Sequence, residues 1–242
     1  VCTGERVELD PPSCDWEMAS ENAELAREGF ERAHRAMMYW QQHRQGDSQL
    51  FGGNITKTSG TYSLWEPRNS AADCYPFHVL TASLTDEKMY AGPMFDMLKS
   101  EIKYTSRDLG GGQRVLPDIY NVAENRFHKE HLDLDEITFG VSEYCKDGLM
   151  PVSEWIGPDT PWYDRMIQVT DYLWEHQARG TSAQGKPIPI AHKNLKSTHN
   201  VETHGEQLQI LPRLYWATGD ERYKEWAVRL GDHYLLGEYH PT

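Results

Sequence analysis

The sequence has no apolar run near the roughly 18 residues that a membrane-spanning helix needs. Its first ten residues, VCTGERVELD, lack the basic and then apolar pattern of a signal peptide, so any export signal has been removed or never existed. Basic residues are also few: 24 Lys and Arg stand against 37 Asp and Glu, a net charge of −13. This balance argues against nucleic acid and anionic membranes as partners, and favours a neutral or locally guided ligand.

Cysteine is scarce, and its spacing excludes a thiolate metal site, because the four cysteines form no CxxC pair. Cys2 and Cys14 lie in an irregular lead-in, residues 1–15, where a disulfide is one possibility and two free thiols the other. Cys74 and Cys145 lie in helical patterns and are expected to be small core residues. The compartment is left open, with a secreted or periplasmic location favoured over a cytoplasmic one.

The usual motifs for metals, phosphates and nucleophiles are absent. The stretch HNVETH, residues 199–204, fits neither HExxH nor HxxEH. The stretch LGGGQR, residues 109–114, has no predicted strand before it and no Gly-Lys-Ser/Thr ending, and there is no serine elbow or dinucleotide fingerprint. The sequence therefore predicts no metal site and no cofactor.

Apolar residues recur at helical spacing in long segments, whereas two-residue alternation is almost absent. This pattern predicts an all-α fold in a single domain over residues 1–242. A first helix is expected from Trp16 to Arg44, stopped by Gly46 and Asp47, with an apolar side that includes Leu25 and Phe30. Methionines at helical spacing are interpreted as core filling: Met37, Met38, Met89, Met94 and Met97.

After this helix a pattern repeats three times, in YPFHVLTASLTDEKMY, MPVSEWIGPDTPWY and LPRLYWATGDERY. Each copy has a proline, an apolar helical run, a turn that ends in aspartate, and then a tyrosine. The turn aspartates Asp86, Asp159 and Asp220 suit the N-cap of a following helix. The repeat therefore predicts three helical hairpins, and with the leading helix seven helices in all.

Three long connections separate these units: Gly46 to Arg68, Thr105 to about Leu134, and Arg179 to His199. Since hairpins alternate up and down, all three are expected to emerge at one end of the bundle. They are longer than compact domains usually retain without a use. The sequence predicts that this end binds a ligand, and the alternative is that the loops are merely mobile insertions.

The hairpin LYWATGDERYKEWAVRLGDHYLL resembles those of six-hairpin (α/α) toroid carbohydrate-active enzymes. The stretch RNSAADCYPFHVLTASLTDEKMY is similar to the segment of uronic-acid-acting glycosidases, of the glucuronidase or unsaturated glucuronyl hydrolase type, in which an aspartate opens an inner helix at the pocket. The resemblance implies a glycoside hydrolase without cofactor, acting on an oligo- or polysaccharide that contains uronic acid.

The chain is short for a complete toroid of this kind. Its repeated prolines lie 75 and then 61 residues apart, so six hairpins would need about 400 residues rather than 242. The expectation is an (α/α)6 toroid with about half present, completed by another segment or subunit, or else an open arc. An incomplete toroid is expected to expose apolar flanks on its last helix.

Carboxylates near the starts of the first helices are the candidate catalytic groups. Asp73 is paired with Glu202 or Glu206, which share a helix face at a spacing of four. Glu143 and Asp147 repeat that spacing in the second hairpin. Two carboxylates suit glycoside cleavage, because one protonates the leaving oxygen while the other acts as base or nucleophile. The alternatives are a hydrogen-bonded structural role for Asp73 and, for the glutamates, helix capping or compensation of the helix dipole.

Other residues are candidates for binding substrate, or for a lyase reaction in which an amide or cation neutralises the uronate and a Tyr or His removes a proton. Trp65 and Tyr62 could stack on a sugar ring. His204 is a further candidate proton donor. A polysaccharide lyase, an epimerase and a non-catalytic carbohydrate-binding scaffold thus stay open beside the hydrolase. The remaining candidate binding residues are Arg68, Asn69, Tyr75, Arg114, Glu143, Lys193, Lys196 and His199.

Overall fold

The computed structural model describes residues 13–109 and 114–237. Cys2 lies outside them, and so do the side chains of Cys14 and Arg114. Helices dominate the described residues, as predicted, and the strands are two to four residues long. None of the described helices is long and apolar enough to cross a membrane.

The described part of the chain forms seven helices, the predicted number. Two of them are composite, because a π-helical piece interrupts the α-helix. Helix α3 covers residues 87–105 and joins Glu87–Met89, Tyr90–Met94 and Phe95–Thr105, while α4 covers residues 134–156 and joins Leu134–Glu143, Tyr144–Leu149 and Met150–Ile156. The others are α1 (Ser13–Gln41), α2 (Cys74–Thr85), α5 (Pro161–His176), α6 (Thr198–Thr218) and α7 (Glu221–Leu235).

The three predicted hairpins are confirmed as α2–α3, α4–α5 and α6–α7. Asp86 and Asp220 accept backbone N–H groups of the second helix in their hairpins, as an N-cap should. In the middle hairpin the prediction of Asp159 was wrong, because Thr160 is the N-cap and accepts from the Tyr163 N–H. Pro161 follows at the first helical position, which sets the boundary one residue later than the aspartate.

Helix α1 ends at Gln41, three residues earlier than predicted, and packs on α2. Its apolar side is buried only near the C-terminal end. Met37 is fully enclosed, whereas Leu25 and Phe30 are 58% and 50% exposed. The predicted helical spacing of α1 is therefore correct, but most of its apolar side is not covered by other described residues.

The long connections carry short antiparallel strands. Strand β1 (Leu64–Trp65) of the first loop pairs with β4 (Tyr120–Asn121) of the second, and β4 pairs with β5 (Arg126–Phe127). The second loop also pairs β2 (Ser106–Asp108) with β3 (Arg114–Pro117), and the third pairs β6 (Gly180–Thr181) with β7 (Pro187–Ile188).

These contacts bring the three loops together at one end, as predicted. Strand pairing joins the first two, and an Arg179–Asp135 ion pair of 2.8 Å joins the start of the third to the first turn of α4, which follows the second. Each loop also places at least one side chain in the hydrophobic core, including Phe51, Leu116 and Ile188. The loops are thus packed parts of the fold rather than loose insertions.

The first helices of the hairpins lie side by side, with α4 packed against α2 on one side and α6 on the other. The closure of such a row into a toroid stays a prediction. Helix α7 exposes Val228 and Leu235 by 54% and 64%, which agrees with the expected apolar flank on the last helix. The core itself is continuous from α1 to α7.

A buried polar network ties α4 to the second helices behind it. Arg165 of α5 forms a 2.7 Å ion pair with Glu101 of α3, and both side chains are at most 1% exposed. The Tyr144 hydroxyl donates to the other Glu101 oxygen at 2.8 Å, and Arg165 also donates to Ser106. Every oxygen of the Glu101 carboxylate therefore has a partner.

Candidate active site

Carboxylates from three neighbouring helices meet at one place. Glu143 and Asp147 of α4 and Glu206 of α6 each offer an oxygen, and these three oxygens lie within 4.8 Å of one another. We call these three residues the inner trio. Asp73, just before α2, and Glu202 of α6 also act electrostatically on Glu143. The five together are the acidic cluster.

The π-helical piece of α4, Tyr144–Leu149, carries one side of this cluster. Such wide turns are frequent at functional sites. Glycine suits position 148, because a Cβ there would lie a tight 3.0 Å from the Ala71 carbonyl oxygen and 3.2 Å from the Ala72 Cα. This close approach brings α4 against the segment that leads to Asp73.

Glu206 is the most deeply placed member of the cluster, at 6% exposed, and its Oε2 has no hydrogen-bond partner. Burial raises its pKa to about 8, and the negative charges of Glu143, Glu202 and Asp147 act in the same direction. Lys146 opposes the shift. Glu206 is therefore mostly protonated at neutral pH unless a cation replaces the proton.

Glu143 has a similar but more open setting. It is half-buried, and its Oε2 also lacks a partner. Burial raises its pKa to about 7, while the Arg68 guanidinium opposes that shift. Glu143 is thus present in both its protonated and its ionised form near neutral pH.

Asp73 and Glu202 lie on the two helices that flank α4, and both are exposed. The Asp73 side chain makes no capping hydrogen bond to α2, and its pKa is raised by partial burial and by Asp147. Helix α6 is capped by Ser197, so Glu202 is not a capping residue either. The hydrogen-bonded role of Asp73 and the capping role of Glu202 are therefore not observed.

Two cations and a histidine border the cluster. Lys146 Nζ lies 2.6 Å from Asp147 Oδ1. The Arg68 guanidinium lies over the Phe139 ring at 5.6 Å, and the exposed His199 stacks on the same ring at 5.1 Å. Arg68 and His199 thus lie against the same aromatic ring at the edge of the cluster.

Asn69 lies next to Arg68 in the π-helical turn Pro67–Ala71, and it donates to Glu66 Oε2 at 3.0 Å. Arg68 contacts the same oxygen over a longer 3.6 Å. Lys193 and Lys196 are exposed in the third loop. The turn therefore presents a polar surface beside the acidic cluster, while the two lysines lie in a separate stretch of chain.

Trp65 and Tyr75 are not at the site surface, contrary to prediction. Trp65 is 1% exposed within β1, and Tyr75 is fully buried, with its ring edge-on to Tyr144. Burial raises the pKa of the Tyr75 hydroxyl well above its usual value. Both side chains fill the core, because the loop and the π-helical piece pack over them; Tyr62, by contrast, is half-buried.

His204 was also predicted to act at the site, and the structure places it in the interior instead. Its Nε2 donates to the Pro189 carbonyl and its Nδ1 accepts from the Tyr234 hydroxyl, each at 2.7 Å. Burial lowers its pKa to about 4, so the ring is neutral at physiological pH. The histidine anchors the third loop to α6 and α7.

A recess of about 440 Å³ lies between α4, α5 and α6, toward the hairpin turns. It is lined by Tyr163, by the Glu154–Arg213 ion pair and by Trp216, which is 88% exposed. Trp155 of α4 is 69% exposed nearby in sequence. Sequence reasoning missed both tryptophans, although they follow the carboxylates along the first helices of their hairpins.

Comparison of the chain with protein-family models, with curated proteins and with solved structures found no match.

Proposed function

We propose that the protein is a glycoside hydrolase acting on uronic-acid-containing glycans. The observation that carries the proposal is the acidic cluster, in which two exposed carboxylates flank α4 and make no structural hydrogen bonds to their own helix ends. Glycoside cleavage needs two such groups at the scissile bond. The resemblance of the hairpin motifs to toroid glycosidases supports the same reaction class.

Asp73 is the proton donor in this proposal. Partial burial and the charge of Asp147 raise its pKa, which favours the protonated form that must deliver a proton to the leaving oxygen. Glu202, on the other side of α4, acts as the base or nucleophile. A sugar lying across α4 would meet the two carboxylates from opposite sides.

Arg68 gives the site its preference for an acidic sugar. Its side chain is 43% exposed, and its ion pair with Glu66 is long at 3.6 Å, so N–H groups stay free to bind a substrate carboxylate. A guanidinium can hold a carboxylate through two parallel hydrogen bonds. Asn69 lies beside it and can bind a sugar hydroxyl.

The exposed tryptophans support a carbohydrate polymer as substrate. Trp216 lies ten residues after Glu206 on α6, about 15 Å further along the helix. Aromatic faces offer large contact area to sugar rings at low entropic cost. The same tryptophans favour the second candidate function, a non-catalytic carbohydrate-binding protein.

The lyase alternative has less support. Tyr75 and His204, two of its candidate bases, are enclosed in the core. His199 is exposed, but it stacks on Phe139. Asp73 and Glu202, by contrast, are exposed carboxylates.

The variants Asp73→Asn and Glu202→Gln test the proposal, with release of reducing ends from a uronate-containing polymer as the measurement. We expect each to lower kcat by about 10²- to 10⁴-fold, because each removes an acid or a base from the transition state. Glu225→Gln, an exposed carboxylate of α7, is the matched control and should keep wild-type activity. Full activity in both site variants, at unchanged helix content, would refute the assignment.

The binding-only alternative is separated by the same proteins. If the wild type binds the polymer and releases no reducing ends, hydrolysis is wrong. In that case Trp216→Ala should weaken binding while Asp73→Asn leaves it unchanged.

A further inference from the structure

The inner trio, Glu143, Asp147 and Glu206, presents oxygen atoms alone. One oxygen of each residue lies within 4.8 Å of the other two. Two of the three residues come from one helix and the third from its neighbour, so the distances are set by the packing of α4 against α6. The sequence analysis predicted no metal site, because it found none of the usual short metal-binding motifs.

A second observation points to a ligand at this place. Only 6% of Glu206 is exposed, yet its Oε2 has no hydrogen-bond partner. Glu143 Oε2 is likewise enclosed and without a partner. Buried polar atoms are nearly always hydrogen-bonded, and leaving one unsatisfied costs free energy. A positive ligand between these oxygens would remove that cost.

We infer that the inner trio binds a divalent cation, and that the cation is Ca²⁺. Calcium takes oxygen ligands at about 2.3–2.6 Å, so two ligands of one ion lie at most about 5 Å apart. The trio satisfies that limit. Mg²⁺ demands a near-ideal octahedron and usually binds through only one or two carboxylates with several waters, so three carboxylates favour Ca²⁺. The absence of nitrogen and sulfur ligands disfavours zinc.

The surrounding charges favour a cation. Asp73 and Glu202 add negative charge around the trio, while Arg68 and Lys146 are the opposing groups that act on it. Lys146 competes directly, because its Nζ lies 2.6 Å from Asp147 Oδ1. Calcium binding therefore requires Asp147 to use its other oxygen or the lysine to move away.

The inferred ion has a structural consequence and a functional one. It would link α4 to α6 through ligands on both helices, with water completing its coordination shell. If the proposed hydrolase function also holds, the ion would reduce the negative charge that an anionic uronate meets as it approaches Arg68. The binding inference itself does not depend on that function.

Calorimetric titration of the chelator-treated full chain with CaCl₂, without any substrate, tests the inference. We expect saturable binding of one ion, and a thermal unfolding midpoint that rises with calcium, because the ion binds the folded state. Glu206→Gln and Asp147→Asn should weaken binding more than about tenfold. Glu154→Gln, on the same helix but outside the cluster, should bind as the wild type does. Lys146→Gln should bind more tightly, since it removes the competing ammonium.

Circular dichroism of each variant shows that loss of binding is not loss of folding, and Asp147→Asn serves if Glu206→Gln does not fold. Absence of heat and of a midpoint shift in the wild type at millimolar calcium would overturn the inference. Equal binding by Glu206→Gln would also overturn it, and tighter binding of Mg²⁺ would contradict the choice of ion. Asp73→Asn separates the two proposals: Asp73 is not a ligand, so the variant should still bind calcium, with at most a small loss of affinity, and yet be inactive.

Discussion

Glu101 and Glu206 are both buried glutamates, and they lie on opposite sides of α4. Glu101 is fully enclosed, with both oxygens bonded to Arg165 and Tyr144. Glu206 is nearly as buried, but its Oε2 has no partner and its neighbours carry the same charge. Tyr144 of α4 donates a hydrogen bond to Glu101, whereas the adjacent residue Glu143 lies beside Glu206.

Glu101 is therefore a structural carboxylate, whereas Glu206 can bind a proton or another positive ligand. A buried charge that is paired and hydrogen-bonded holds the fold in one arrangement. A buried carboxylate without partners destabilises the fold and persists where it serves a function. The π-helical piece of α4 thus contacts the buried Glu101–Arg165 ion pair through Tyr144 and carries Asp147 of the acidic cluster.

The largest effect is expected from breaking the anchor. Arg165→Leu leaves Glu101 buried without its cation, and we expect the free energy of unfolding to fall by about 3–5 kcal/mol in urea denaturation. Arg27→Leu is the matched control, because it removes an exposed ion pair with Glu31, whose loss should cost at most about 1 kcal/mol. Equal losses in the two variants would contradict a special role for the buried pair.

A smaller effect of the opposite sign is expected from Glu206→Gln. The pKa of Glu206 is about 8 in the folded protein against 4.5 for the free side chain. Between these values the folded state holds a proton that the unfolded state has lost, so this group's contribution to stability falls as pH rises from about 4.5 to 8. The variant lacks that titration and should be more stable than wild type at pH 8.

Urea denaturation at pH 5, 6.5 and 8, without calcium, checks this expectation. Because other groups also titrate, such as His204 with its lowered pKa, the informative quantity is the difference between variant and wild type. That difference should grow with pH. A difference that is constant from pH 5 to pH 8 would show that Glu206 is not held in its protonated form.

Much of the fold could be predicted because it rests on local signals. Prolines, turn aspartates and helical spacing located all three hairpins and the end at which the long loops meet. The one capping error arose where Thr160 and Pro161 together set a stronger helix start than Asp159. The π-helical pieces and the short strands could not be read, because they depend on contacts between distant segments.

The site was predicted in part for a similar reason. A spacing of four identified the carboxylates of α4 and α6, since residues on one helix face are determined locally. The sequence could not show how deeply each side chain is buried. Trp65, Tyr75 and His204 carry chemically useful groups, but loop packing encloses them. Trp155 and Trp216 look like ordinary core tryptophans in the sequence, and only the structure shows them exposed.

The central claim is that Asp73 and Glu202, on either side of α4, carry out hydrolysis of a uronate-containing glycan. Its most direct test is the product that the wild-type protein releases from such a polymer. The account predicts new reducing ends with no ultraviolet absorbance from a carbon–carbon double bond. Products that absorb would identify a lyase and contradict the account.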